Sequence, residues 1–133
     1  MDRFKKHIEK LREILREKNN KEHYAEKISE GPVSFYFSDD LADNADIAVH
    51  KDFDNFSVPH LVVHRKREIE SWRSQIVNLW QNFNTEVWFI NCRDKEVEVV
   101  HQNKENLFAL DQKIRSNVFP NLQISVRQLF DEG

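Results

Sequence analysis

The chain has 133 residues, with 20 Lys+Arg against 23 Asp+Glu, giving a net charge of −3 with His neutral. That length fits one domain spanning residues 1–133. A chain near 150 residues buries about 68–70% of its unfolded surface, and 39% hydrophobic and 11% aromatic residues can supply the core. This excludes a disordered acidic tail. The two glycines, Gly31 and Gly133, exclude phosphate-cradling loops, where backbone amides must approach the ligand closely. The single Cys92 excludes an intramolecular disulfide and a multi-Cys zinc site. No run of about 20 apolar residues offers a membrane span. No apolar stretch follows Met1-Asp2-Arg3-Phe4-Lys5-Lys6, so no secretion signal is expected and the expected location is cytoplasmic. The mild negative charge opposes strong non-specific nucleic-acid binding while leaving room for a local basic patch.

Residues 3–18 predict a helix. Phe4, Ile8, Leu11, Ile14 and Leu15 share one face at a period of 3.6. Lys5, Lys6, Glu9, Lys10, Glu13 and Lys18 fall on the solvated side, and Asn19-Asn20 is a stop signal. Residues 24–30 fit either a short helix or an edge strand, and Gly31-Pro32 is a turn signal. Residues 33–38 predict a strand with Val33, Phe35 and Phe37 on one face. Residues 39–44 read as a polar connection, 45–50 as a second strand, and 51–58 as a loop carrying Phe53 and Phe56. Pro59 opens a third strand over residues 60–64, a position where proline is tolerated.

Residues 67–83 predict the second helix, with Trp72, Ile76, Leu79, Trp80 and Phe83 as its apolar stripe. Residues 86–92 and 96–102 alternate as two strands of a hairpin around Arg93-Asp94-Lys95. The tail adds an apolar piece at Leu107-Phe108-Ala109-Leu110 and a short element over residues 126–130. Helix, strands, helix, hairpin and tail make an α/β or α+β domain. Its mixed sheet is flanked by the N-terminal and central helices.

In this order the motifs resemble the Uma-type restriction endonuclease family of the PD-(D/E)XK nuclease superfamily. The resemblance rests on His7-Ile8…Leu11…Leu15 and on Asn44-Ala45-Asp46-Ile47-Ala48-Val49. It continues in Val58-Pro59-His60-Leu61-Val62-Val63-His64 and Thr85-Glu86-Val87-Trp88-Phe89-Ile90-Asn91. It closes in Ser116-Asn117-Val118-Phe119-Pro120-Asn121-Leu122 followed by Leu129-Phe130-Asp131. The resemblance implies a restriction-endonuclease-like fold and metal-dependent hydrolysis of phosphodiesters in DNA. In that chemistry two carboxylates hold Mg²⁺, which lowers the pKa of a bound water. A Lys orients the water or stabilises developing charge.

Carried over, the first carboxylate falls on Asp46 and the second on His64. The Lys falls near Gln75 or Ile76, so two of the three family groups are replaced. Asp46 and His64 are the implied metal ligands. Mg²⁺ follows from the resemblance, while an imidazole suits Mn²⁺, Ni²⁺ or Zn²⁺ better. The expected site is therefore degenerate, weak or inactive, with a divalent metal or none. His50 or Glu70 is a candidate to complete a rebuilt site. The family's turn and closing glycines fall at Phe83 or Asn84 and at Asn121, where Asn could take a positive φ. The family also carries a leading segment before its first long helix, and this chain begins at that helix.

Arg65, Lys66, Arg67 and Arg73 are the candidate nucleic-acid contacts through phosphate; their alternative is a solvated connection. His50, His60, His64 and His101 lack any metal-ligand spacing such as HExxH. Cys92 is expected to be structural, and the three Trp to pack in the core. The alternative to a DNA endonuclease is a non-catalytic binding domain. It would be a homodimer subunit or an antitoxin- or immunity-like partner, with Phe53 and Phe56 as its exposed patch.

Overall fold

A computed structural model describes residues 3–29, 31–38, 41–51, 58–67 and 69–130. Phe53 and Phe56 lie outside the described residues. The elements run α1 (Arg3–Glu22), β1 (Lys27–Ile28), β2 (Val33–Ser38), β3 (Leu41–Ala45), β4 (Ile47–His50) and β5 (Leu61–Arg65). They continue as α2 (Glu70–Gln81), β6 (Glu86–Asn91), β7 (Glu96–His101), β8 (Lys104–Phe108), β9 (Lys113–Arg115), β10 (Gln123–Ser125) and α3 (Val126–Phe130).

Six strands form one sheet in the order β1-β4-β5-β6-β7-β8. β5 and β6 are parallel, with α2 as the crossover, and every other neighbouring pair is antiparallel. A parallel pair needs such a crossover because a tight hairpin cannot reverse the chain twice. This is the mixed α+β arrangement the sequence predicts. The sheet is covered on both faces. Ile8, Leu11, Ile14 and Leu15 of α1 pack with Trp88, Ile90, Val97 and Val99 and with the tail residues Ile114, Leu122 and Leu129. On the other face Ile76 and Trp80 of α2 pack with Val62, Val87 and Phe89, joined by Val33 and Phe35 of β2. The alternation of Val87 and Phe89 against Trp88 and Ile90 in β6 separates the two faces, as period 2 requires.

Several boundaries depart from the sequence expectation for identifiable reasons. α1 runs past Asn19-Asn20 to Glu22. It ends where His23 takes φ 51 and its N–H bonds the Asn19 carbonyl at 2.8 Å, a left-handed C-terminal cap. The Asn19 side chain then closes the turn, accepting from Ala25 N at 2.8 Å and donating to Ala25 O at 2.9 Å. Within residues 24–30 the chain forms the edge strand β1, paired with β4. Part of the expected polar connection is β3, which pairs antiparallel with β2.

α2 begins at Glu70, not Arg67. Lys66 N still donates to Ile90 O at 2.9 Å, and Ile69 is extended at ψ 107, so the chain follows β6 before it coils. α2 ends at Gln81. Asn84 takes φ 58, the left-handed turn expected there, and Phe83 is left 40% exposed instead of joining the apolar stripe. Asn121 is not among the described residues with positive φ. The bond from Leu122 N to Phe119 O, at 2.8 Å, closes that turn. No described helix is long and apolar enough to cross a membrane.

Candidate functional site

Asp46 is the bend between β3 and β4. Because β4 and β5 are antiparallel with Ile47 opposite Val63, the bend meets the chain at His64. Asp46 N donates to Val63 O at 2.9 Å. Arg65 N donates to Asp46 Oδ2 at 3.3 Å, and Arg12 Nη2 donates to Asp46 O at 3.0 Å. Burial pushes the Asp46 carboxyl above its ordinary range, while His64, the Arg65 N–H, Arg12 and Arg67 pull it the other way. Burial thus disfavours the ionised carboxyl, and the neighbouring guanidinium groups favour it.

His64 is 2% exposed. Its ring meets Trp72 edge-on at 6.0 Å and tilts over Phe89 at 6.2 Å. The Arg67 guanidinium lies 5.2 Å over Trp72, and that of Arg65 lies 5.2 Å over Phe4. Asp46, His64 and Gln75 line one cleft of about 420 Å³, together with Arg65, Arg67, Trp72, Phe4 and Asn44. Lys66 faces a neighbouring cavity of about 840 Å³, walled by Arg65, Arg67 and the β6–β7 turn at Asn91, Cys92, Arg93 and Asp94.

Other candidates lie elsewhere. Arg73 makes a two-pronged bond to Glu98, Nε to Oε1 at 3.1 Å and Nη2 to Oε2 at 2.8 Å. It also reaches Glu105 at 3.3 Å and lies 5.6 Å over the Phe89 ring. The bond to Glu98 is the main reason its pKa stands above the ordinary arginine value. Its charge serves the packing of α2 on the sheet. His50 does not meet His64, because the antiparallel run places them at opposite ends of the β4–β5 pair. His50 instead faces Lys27 across β1, and burial, followed by Lys27 and His60, lowers its pKa. Glu70 is exposed at the start of α2. Cys92 Sγ sits 3.2 Å from His7 Nδ1.

Arg12, Phe4 and Asn44 were not legible as site residues. Arg12 lies beside the α1 stripe, and only the crossing of α1 over the β3–β4 bend brings it to Asp46. The buried Glu86 is a further surprise. It accepts from Ser116 Oγ at 2.6 Å, Trp88 Nε1 at 3.1 Å and Asn117 N at 2.7 Å. Burial raises its pKa while those donors oppose the rise.

The donor set at the bend is one carboxylate and one imidazole, with an amide nearby. Among the described residues no group of three or more His, Cys, Asp and Glu side chains is placed to hold a metal ion. Mg²⁺ demands hard oxygen ligands in near-octahedral geometry, so these side chains do not fit it and no step is derived through it.

No family model matches the chain, and no curated protein matches it. Among solved structures it is similar to a protein from Anabaena variabilis ATCC 29413, described as a "putative nuclease belonging to DUF820". The TM-score is 0.75 at 15% identity, covering 98% of this chain and 81% of that one. At that identity the likeness shows a shared fold, the fold of a nuclease-like neighbour.

Proposed function

We propose that this is a nuclease-like domain that binds DNA at the Asp46–His64 cleft and hydrolyses phosphodiesters weakly or not at all. The observation that carries the reading is convergence. Asp46, His64 and Gln75 are far apart in sequence, and they line one cleft whose walls are Arg65 and Arg67. The nuclease-like fold supports it. Arg65, Lys66 and Arg67 supply phosphate contacts, which position a strand without reading its bases. Asp46 and His64 supply a carboxylate and an imidazole at the floor. The imidazole suits Mn²⁺, Ni²⁺ or Zn²⁺ better than Mg²⁺. The resemblance to the Uma-type family is the reason to name DNA as the substrate.

A plasmid-nicking assay in Mg²⁺, Mn²⁺ and Ni²⁺ tests this. The expected result is little nicking in Mg²⁺. Robust nicking in Mg²⁺ that is lost in Asp46→Ala overturns the degenerate-site reading. The replacement of a carboxylate by His64 and of a Lys by Gln75 favours a second reading, a domain that binds without cutting. In that reading the domain is one subunit of a homodimer or an antitoxin- or immunity-like partner of another protein. Sedimentation velocity with and without DNA separates the two. A stable dimer that ignores DNA supports the second.

A further inference from the structure

We infer that the Asp46–His64 cleft and the cavity beyond Arg65 form one groove for a single strand of DNA, with Arg93 as its far phosphate contact. The inference rests on the reading of the cleft as a nucleic-acid site and extends it to the substrate's form. Arg65 and Arg67 line both spaces, so the two meet across these side chains. Their volumes, about 420 and about 840 Å³, fall in the range of small-ligand pockets, about 300–1,000 Å³. Such spaces admit a nucleotide with its phosphate. A duplex keeps its bases stacked inside and offers such spaces only its backbone.

The groups at the floor are recessed: His64 is buried and Trp72 half-buried. Trp72, the half-buried one, is reached by a base whose strand is out of the duplex stack, while His64 backs it from within. Trp72 is braced from behind by His64 and by Phe89, whose ring lies 5.7 Å away edge-on. Its contact with Arg67 interleaves a cation with an aromatic face. That combination holds unpaired bases and their backbone with little sequence preference.

Arg93 is 77% exposed and stands with Lys66 on the wall of the second cavity. The turn around it is built by other residues. Asp94 N donates to Asn91 Oδ1 at 3.1 Å, Asn91 Nδ2 donates to Asp94 Oδ2 at 3.0 Å, and Lys95 takes φ 54. Arg93 also pairs with Asp94, Nε to Oδ1 at 3.6 Å, an exposed contact of a kind worth little to stability. Arg65, Lys66, Arg67 and Arg93 therefore make a cationic track on a chain whose net charge is −3.

Fluorescence anisotropy in EDTA tests this, using a fluorescein-labelled single-stranded DNA oligonucleotide and the blunt duplex of the same sequence. The single strand is expected to bind at least about tenfold more tightly. Its log K should fall with log salt at a slope of about −3, from four phosphate contacts at about −0.7 each. Arg93→Ala should make that slope shallower by about 0.7, and Arg93→Glu should weaken binding further. Trp72→Ala should cost roughly 5- to 150-fold, and Trp72→Phe less, since a ring remains. Equal or tighter binding of the duplex overturns the groove and leaves the cleft as a nucleic-acid site. An Arg93→Ala slope identical to wild type overturns it in the same way. Binding of neither DNA overturns the groove and the cleft reading together.

Discussion

Glu86→Gln isolates a buried carboxylate that fastens the tail to the sheet. Glu86 is 0% exposed at the start of β6. Oε2 accepts from Ser116 Oγ and Trp88 Nε1, and Oε1 accepts from Asn117 N. Three donors thus meet two oxygens. An amide keeps one oxygen and replaces the other with an NH₂ donor. The Ser116 hydroxyl can turn to accept from it, but the Trp88 and Asn117 N–H groups cannot. Whichever way the amide lies, one buried N–H is left facing another donor. Stranding it costs about 1–3 kcal/mol, and at this chain length each kcal/mol lowers Tm by roughly 3–5 °C.

The pH dependence carries a sign. Burial raises the Glu86 carboxyl above its ordinary 4.5. Its contribution is therefore full below the unfolded value and is lost as pH rises through the folded one. The gap between wild type and Glu86→Gln should be largest in acid and should narrow towards neutral pH. Urea unfolding followed by Trp fluorescence at about pH 4 and about pH 7 measures it. Equal stability at both values, or a gap that widens with pH, refutes the reasoning.

Arg73→Ala should cost about 1.5–3 kcal/mol, because the side chains of Arg73 and Glu98 are 18% and 15% exposed and share a charge-assisted fork. Arg73→Lys should recover part of this, since an ammonium cannot make the fork. DNA affinity should stay at the wild-type level, and a parallel loss of affinity would return Arg73 to the DNA surface. Asp46→Asn should raise Tm at neutral pH, because burial disfavours the ionised carboxylate. The gain should vanish as pH falls below the ordinary value of 3.8, and a lower Tm at neutral pH would contradict it. Mg²⁺ and EDTA should leave Tm unchanged in differential scanning fluorimetry, since a ligand stabilises only what it binds. A Mg²⁺-induced rise that Asp46→Ala abolishes would show that the donor set has been misjudged.

The elements that were legible in the sequence are those that bury a continuous stripe. Ile8, Leu11 and Leu15 in α1, Ile76 and Trp80 in α2, and Val97 and Val99 in β7 repeat at the period of their element because one face meets the core. β3, β8, β9 and β10 were not legible as strands. Leu41–Ala45 holds no β-branched or aromatic residue and Lys104–Phe108 is mostly polar, and backbone pairing to β2 and β7 holds them extended. Such strands leave little pattern to read.

The same division runs through the site. Motif resemblance makes Asp46 and His64 candidates, and the β4–β5 register brings them together. That register also separates His50 from His64, which closeness in sequence could not reveal. Arg12 and Phe4 join the site through the path of α1 over the bend, a tertiary fact with no local signature. Glu86 sits in a motif that marks a strand, and nothing in its neighbours Val87 and Trp88 announces that Ser116 and Asn117 return to bond it.

The central proposal is that the cleft is a phosphodiester-cleaving site in which His64 and Gln75 stand in place of a carboxylate and a Lys. The direct test is to restore them with the double variant His64→Glu and Gln75→Lys and to measure plasmid nicking in Mg²⁺ beside wild type. The account predicts little nicking by wild type and a Mg²⁺-dependent gain in the double variant that a further Asp46→Ala abolishes. A folded double variant with no gain, or a wild type that already nicks in Mg²⁺ as fast as the double variant, would contradict it.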